Sequence, residues 1–131
     1  MASLIIISGE QKGEYLPLGQ RTSVVGRAES LPLQILDDGV SRKHFRVFFD
    51  KDTQKYYAED MDSRHGTFIN MRRIKQKVAL AESDQIQIGK TILLFTEKDF
   101  DTKENALMHY KQVGERAKTT RMDSGNTQSM L

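Results

Sequence analysis

Short apolar runs separated by turn signals fill most of this chain, and that punctuation restricts it to few folds. The runs lie at residues 4–7, 14–18, 22–25, 33–36, 44–49, 55–59, 66–69, 78–80, 85–88 and 91–95. Ser8-Gly9, Gly19, Asp37-Asp38-Gly39 and Asp50-Lys51-Asp52-Thr53 close several of them, and Gly89-Lys90 reads as a tight hairpin turn. Residues 44–49 alternate, placing Phe45, Val47 and Phe49 on one side of a pleat and Arg46 on the other. Strands at such spacing predict an all-β sandwich or barrel. No amphipathic helix separates them, which argues against parallel βαβ units, and no internal repeat is visible.

At 131 residues the chain is long enough to bury one core without metals or disulfides. It has no cysteine, so thiolate chemistry and disulfides are excluded, in keeping with a reducing compartment. No apolar run is long enough to span a membrane. The first residues lack the pattern of a signal peptide, and a cytoplasmic location (nuclear as well in a eukaryote) is expected. The net charge of +2 argues against general nucleic-acid binding. Yet Arg27, Arg42, Lys43, Arg64, Arg72, Arg73, Lys75 and Lys77 all fall at or near turns, which permits a local basic face.

Composition shifts near Lys98. Residues 101–118 favour a helix with a weak apolar stripe of Leu107, Tyr110 and Val113, and residues from Thr119 onward read as disordered. The expected organisation is a β-sandwich domain over residues 1–98 and a C-terminal extension over 99–131.

Two polar clusters interrupt the strand pattern. One is Val25-Gly26-Arg27 followed by Val40-Ser41-Arg42-Lys43-His44; the other runs from Asp60 through Ser63-Arg64-His65-Gly66-Thr67-Phe68-Ile69-Asn70. If these turns meet, they form a pocket for a phosphate-sized anion. An arginine offers a planar fork of donors, a serine hydroxyl a further donor, and turn amides an anion-binding concavity.

Gly26-Arg27, Ser41-Arg42-Lys43-His44 and His65-Gly66-Thr67 resemble the ordered motif set of the forkhead-associated (FHA) domain, which reads Gly-Arg, Ser-x-x-His and Asn-Gly-Thr. The resemblance covers roughly residues 3–97. Each motif alone is weak, but the three in order on an all-β background are specific. The resemblance implies a two-sheet antiparallel β-sandwich of FHA/SMAD-like type with about eleven strands. It further implies a phosphothreonine-peptide module that acts as a signalling adaptor, with no enzyme activity and no cofactor. Its partners would be proteins carrying phosphothreonine, made by a Ser/Thr kinase, rather than nucleic acid or membrane. On this reading Arg27, Ser41 and Arg64 hold the phosphate, Arg42 donates from its main chain and His65 contacts the peptide backbone. Gly26, His44, Gly66, Thr67 and Asn70 support the site.

Blander readings stand beside these. Gly-Arg at a strand end is most often a turn with a solvated charge. Ser41 with His44 suggests a nucleophile pair, but no Gly-x-Ser-x-Gly elbow surrounds Ser41 because Lys43 occupies the last position. His44, His65 and His109 match no metal-ligand spacing. Two departures from the family pattern are evident: His65 replaces the asparagine, and Met71 follows Asn70 where glycine is common. A neutral imidazole offers one donor and one acceptor, a partial substitute for the amide, and a proton gained in mild acid would add charge beside the phosphate.

Thr119 and Thr120 follow the basic stretch Arg116-Ala117-Lys118 and are candidate regulatory phosphosites. A flexible segment of ~20 residues reaches about 25 Å, enough for tail-mediated self-interaction. The alternatives to phosphothreonine binding are an FHA-like scaffold that binds an unphosphorylated partner or itself, and, more remotely, a small Ser41/His44 hydrolase.

Overall fold

The computed structural model describes residues 2–98, together with Met108 and Lys111. The expected tail helix, the disordered end, and the candidate phosphosites Thr119 and Thr120 lie outside the described residues.

Alternation drives the local structure. In β5 (Phe45–Asp50), Phe45 and Val47 are fully buried while Arg46 and Phe48 face outward and are half-exposed. The adjoining β6 (Lys55–Asp60) buries Tyr56 and Ala58 on the same side, so the pair presents one apolar face and one mixed face. On the mixed face, Phe48 stacks on Tyr57 with ring centroids 5.8 Å apart. Arg46 lies over Phe48 and donates to Glu59.

Among the described residues the remaining strands are β1 (Ser3–Ile6), β2 (Tyr15–Pro17), β3 (Ser23–Gly26), β4 (Leu33–Gln34), β7 (Phe68–Ile69), β8 (Arg72–Arg73), β9 (Val78–Ala79), β10 (Gln85–Ile88) and β11 (Thr91–Thr96). They form a six-stranded sheet ordered β2-β1-β11-β10-β7-β8 and a five-stranded sheet ordered β4-β3-β5-β6-β9. Leu4, Ile6, Ile86, Ile88, Leu93 and Phe95 of the first sheet meet Val25, Phe45, Val47 and Ala58 of the second in one core. Burial of each large apolar side chain there contributes about 1.5–3 kcal/mol. Among the described residues, no helix is long and apolar enough to cross a membrane.

Two features differ from the sequence expectation. The sheets are not wholly antiparallel, because β3 and β4 pair in parallel, Val25 with Leu33 and Gly26 with Gln34. Since β4 is only 2 residues long, the return path is short enough for residues 27–32 to span. The other difference is β8, which has no apolar residue to announce it. Both of its arginines are exposed, and the strand exists because the Asn70-Met71 turn folds it back on β7, pairing Ile69 with Arg72.

Candidate functional site

Gly26 ends β3 where another backbone crosses it. A Cβ there would lie 2.3 Å from the Arg42 carbonyl oxygen and 2.7 Å from that of Ser41. Only glycine admits this approach, and the approach lets the two loops hydrogen-bond: Arg27 N–H donates to Ser41 O at 3.0 Å and Ala28 N–H to Arg42 O at 3.1 Å.

The Arg27 side chain is exposed, but its Nε–H donates to Val40 O at 3.0 Å. That bond fixes the guanidinium while leaving its terminal nitrogens available. An open cleft of about 560 Å³ beside it is lined by Arg27, Arg42, Gln34, Leu36, Asp37 and Asp38, among others.

His44 is fully buried and joins the two polar clusters. Its Nδ1 accepts the Ser41 N–H at 3.0 Å, so the proton resides on Nε2, which donates to Gly66 O at 2.8 Å. Burial lowers its pKa below the ordinary 6.5, partly opposed by the Gly66 carbonyl and the Asp60 charge. The imidazole is a neutral strut, and both of its nitrogens are committed to backbone groups. Neither can take a proton from the Ser41 hydroxyl.

That hydroxyl has a different partner. Arg64 N–H donates to Ser41 Oγ at 3.0 Å, leaving the hydroxyl's own proton for an outside acceptor. Among the described residues, the Arg42 N–H and the side chains of Arg64 and His65 make no hydrogen bond; all three residues are exposed. Arg27, Ser41, Arg42, Arg64 and His65 thus sit on two loops clamped together through Ser41 and His44.

The second loop is braced by Thr67, the expected support, together with Asp60 and Ser63, to which the sequence assigned no role. Asp60 accepts the Ser63 hydroxyl and the Thr67 hydroxyl on Oδ1, at 2.5 and 2.6 Å, and the Ser63 N–H on Oδ2 at 3.0 Å. Ser63 Oγ in turn accepts the Gly66 N–H at 3.0 Å. Burial works to raise the Asp60 pKa, but these donors outweigh it and hold the carboxyl below its ordinary range. The available signal was the presence of Asp and Ser in one short turn, residue types whose side chains bond nearby backbone. Gly66 adopts φ +89°, and Thr67 is fully buried beneath the loop. Asp37 does similar work next door: it accepts the Gly39 and Lys90 N–H groups and the Thr91 hydroxyl, tying residues 36–39 to the turn between β10 and β11.

Asn70 is placed elsewhere. Its amide donates to Asp84 Oδ1 at 2.8 Å and accepts the Gln85 N–H at 3.0 Å. It fastens the far end of β7 to β10 and, among the described residues, its side chain hydrogen-bonds neither loop of the site. Among the described residues, no group of three or more His, Asp or Glu side chains could hold a metal.

Comparison with known proteins bears on this arrangement. The model of the FHA domain family matches residues 23–89. The oxoglutarate dehydrogenase inhibitor of Corynebacterium jeikeium is 34% identical over 94 residues, covering 72% of this chain and 63% of that protein. The chain spans less than two thirds of the length of the curated relatives it matches. Among solved structures, the FhaA FHA domain complexed with the intracellular domain of Rv3910 superposes with a TM-score of 0.64 at 25% identity, over 72% of this chain and 99% of that one. The MEK1 FHA domain in complex with a HOP1 phosphothreonine peptide shares the fold, with a TM-score of 0.62 at 24% identity over 75% and 97% of the two chains.

Proposed function

The chain belongs to the FHA domain family, and from that premise we propose that it is a phosphothreonine-peptide-binding module acting as an adaptor in Ser/Thr-kinase signalling. The observation that carries this reading is the hydrogen-bond polarity at Ser41. Ser41 Oγ accepts from Arg64 N–H, and its own proton has no acceptor among the described residues, so it is available to a ligand that accepts. A phosphate dianion is such a ligand, with about −1.5 to −2 charges and three acceptor oxygens. The free ends of the Arg27 fork, the Arg42 amide and the Arg64 guanidinium supply matching donors around it. His65 would face the peptide backbone.

Each charge-assisted bond is worth about 1.5–3 kcal/mol. Association and peptide ordering offset much of the sum, which leaves a Kd in the micromolar range, about −8 kcal/mol. The commitment of both His44 nitrogens to backbone groups supports a binding role over hydrolysis. The reading carries with it a cytoplasmic setting, or a nuclear one in a eukaryote, where such kinases act.

An oriented phosphothreonine peptide library tests it. The wild type should enrich phosphorylated over matched unphosphorylated peptides, and Arg27→Ala should lose that preference. Enrichment that survives Arg27→Ala would overturn the reading.

A further inference from the structure

The place where a Gly66 side chain would stand is filled by Arg73. A Cβ on Gly66 would lie 2.6 Å from Arg73 Nε, 3.0 Å from Cζ and 3.1 Å from Nη2. The guanidinium therefore packs against the backbone of the second loop, next in sequence to His65. It reaches there from β8, the outer strand of the six-stranded sheet, and Arg73 is exposed. Among the described residues it makes no ion pair, although it borders an open cleft of about 530 Å³ lined also by Glu59, Asp60, Asp62, Ile74 and Lys75.

Among the groups lining that cleft, Glu59 is paired with Arg46, and Asp60 keeps its charge while accepting from Ser63 and Thr67. Asp60 and Asp62 stand there with the cations of Arg73 and Lys75 in a balanced lining, and among the described residues neither carboxylate forms an ion pair with Arg73. A guanidinium whose position is fixed by packing, rather than by a carboxylate of its own chain, is an anion receptor with little side-chain freedom left to lose on binding.

We propose that Arg73 is a specificity residue for the phosphopeptide: it reads a second anionic side chain, carboxylate or phosphate, on the flank of the phosphothreonine that lies toward β8. The inference rests on the phosphothreonine reading above and deepens it, by naming the ligand as a peptide with clustered negative charge. Bidentate recognition by the planar fork favours this over a diffuse charge effect.

The test measures binding by titration calorimetry. The ligands are a phosphothreonine peptide with alanine flanks, a set with one glutamate at each flanking position in turn, and a set with a second phosphothreonine instead. In the wild type, glutamate or the second phosphate on one flank should tighten binding about three- to tenfold, the range for a partly exposed, well-oriented ion pair. Arg73→Gln should abolish that preference, and Arg73→Lys, which keeps charge but not the fork, should retain part of it. Thermal melts confirm that the variants fold. A response to both sets identifies a general acidic flank, and a response to the second phosphate alone identifies a doubly phosphorylated ligand; either supports the proposal. An unchanged preference in Arg73→Gln, while Arg27→Ala still abolishes binding, overturns the proposal alone. A wild type that does not distinguish phosphorylated from unphosphorylated peptides overturns the underlying reading and this one with it.

Discussion

Arg64 and Ser41 share one hydrogen bond across two loops, with the Arg64 main-chain N–H donating to the Ser41 hydroxyl oxygen at 3.0 Å. The bond occupies one lone pair of the Ser41 hydroxyl, leaves its proton to donate elsewhere, and ties down the loop that carries Arg64 and His65. Ser41→Ala therefore removes a donor to the ligand and frees an exposed N–H. The exposed N–H costs stability about 1 kcal/mol or less, since water replaces the lost partner, whereas phosphopeptide affinity should fall about ten- to hundredfold. A variant with a normal melting temperature and unchanged affinity would remove Ser41 from the site.

His44 carries a pH dependence whose sign follows from its burial. Its folded-state pKa lies below the unfolded 6.5, so its contribution to stability is complete above that value. As pH falls below 6.5 the unfolded chain takes up a proton that the fold resists, and stability declines until the folded-state pKa is reached. A proton on Nδ1 would also set N–H against the Ser41 N–H. Urea midpoints should drop between about pH 7 and pH 5 in the wild type. His44→Asn, less stable throughout, should show a shallower decline, since the group whose protonation the fold resists is gone. Parallel profiles would show that His44 does not govern the effect.

Asp60 acts in a lower window. Burial tends to raise its pKa, but the Ser63 and Thr67 donors overcome this, and its folded-state value lies below 3.8. Its contribution is present above that pH and is lost as pH falls through the folded-state value. Asp60→Asn should flatten the acid limb below about pH 4 and lower stability at neutral pH by about 1–3 kcal/mol, the cost of weakening charge-assisted bonds. An unchanged acid limb in urea titrations would deny Asp60 that role.

These residues also show which parts of the molecule were legible beforehand. The alternation of Phe45, Arg46 and Val47 announces β5, because one face of the sheet is dry and the other wet. Gly26, Arg27, Ser41 and His44 were recognisable because their spacing survives as a motif in the chain. Asp60 and Ser63 stand in the second polar cluster without a role of their own, because their bonds to one another and to Gly66 and Thr67 are set by the folded turn. β8 was missed since Arg72 and Arg73 carry no apolar signal, and the position of Arg73 against Gly66 is a tertiary contact that no local pattern encodes. Asn70, expected as a supporting residue, is separated from the loop by the 2 residues of β7 and shapes the following turn through its side chain.

Gly26→Ala should be among the most damaging single changes. The new methyl would meet main-chain carbonyl oxygens of Arg42 and Ser41 rather than a side chain that could move. The loops must part, at about 3 kcal/mol or more. The Arg27–Ser41 and Ala28–Arg42 bonds should weaken together, seen as faster amide exchange at Arg27 and Ala28. Retained protection at both amides would contradict the close crossing.

Met71→Gly should stabilise the protein. Asn70 and Met71 form the two-residue turn between β7 and β8, with φ of +49° and +72°. Both central positions of such a hairpin turn require positive φ, for which Asn-Gly is the favoured pair. A side chain in the left-handed region costs roughly 1–2 kcal/mol, and Met71 recovers little of it by packing, since it is 90% exposed. Glycine relieves that strain but adds freedom to the unfolded chain, so the net gain should be about 0.5–1 kcal/mol. Asn70 keeps its side-chain bonds to Asp84 and Gln85, which hold the turn in register while position 71 changes. The gain should appear as a higher urea midpoint at constant slope; a lower midpoint would mean that Met71 makes contacts that offset its strained backbone.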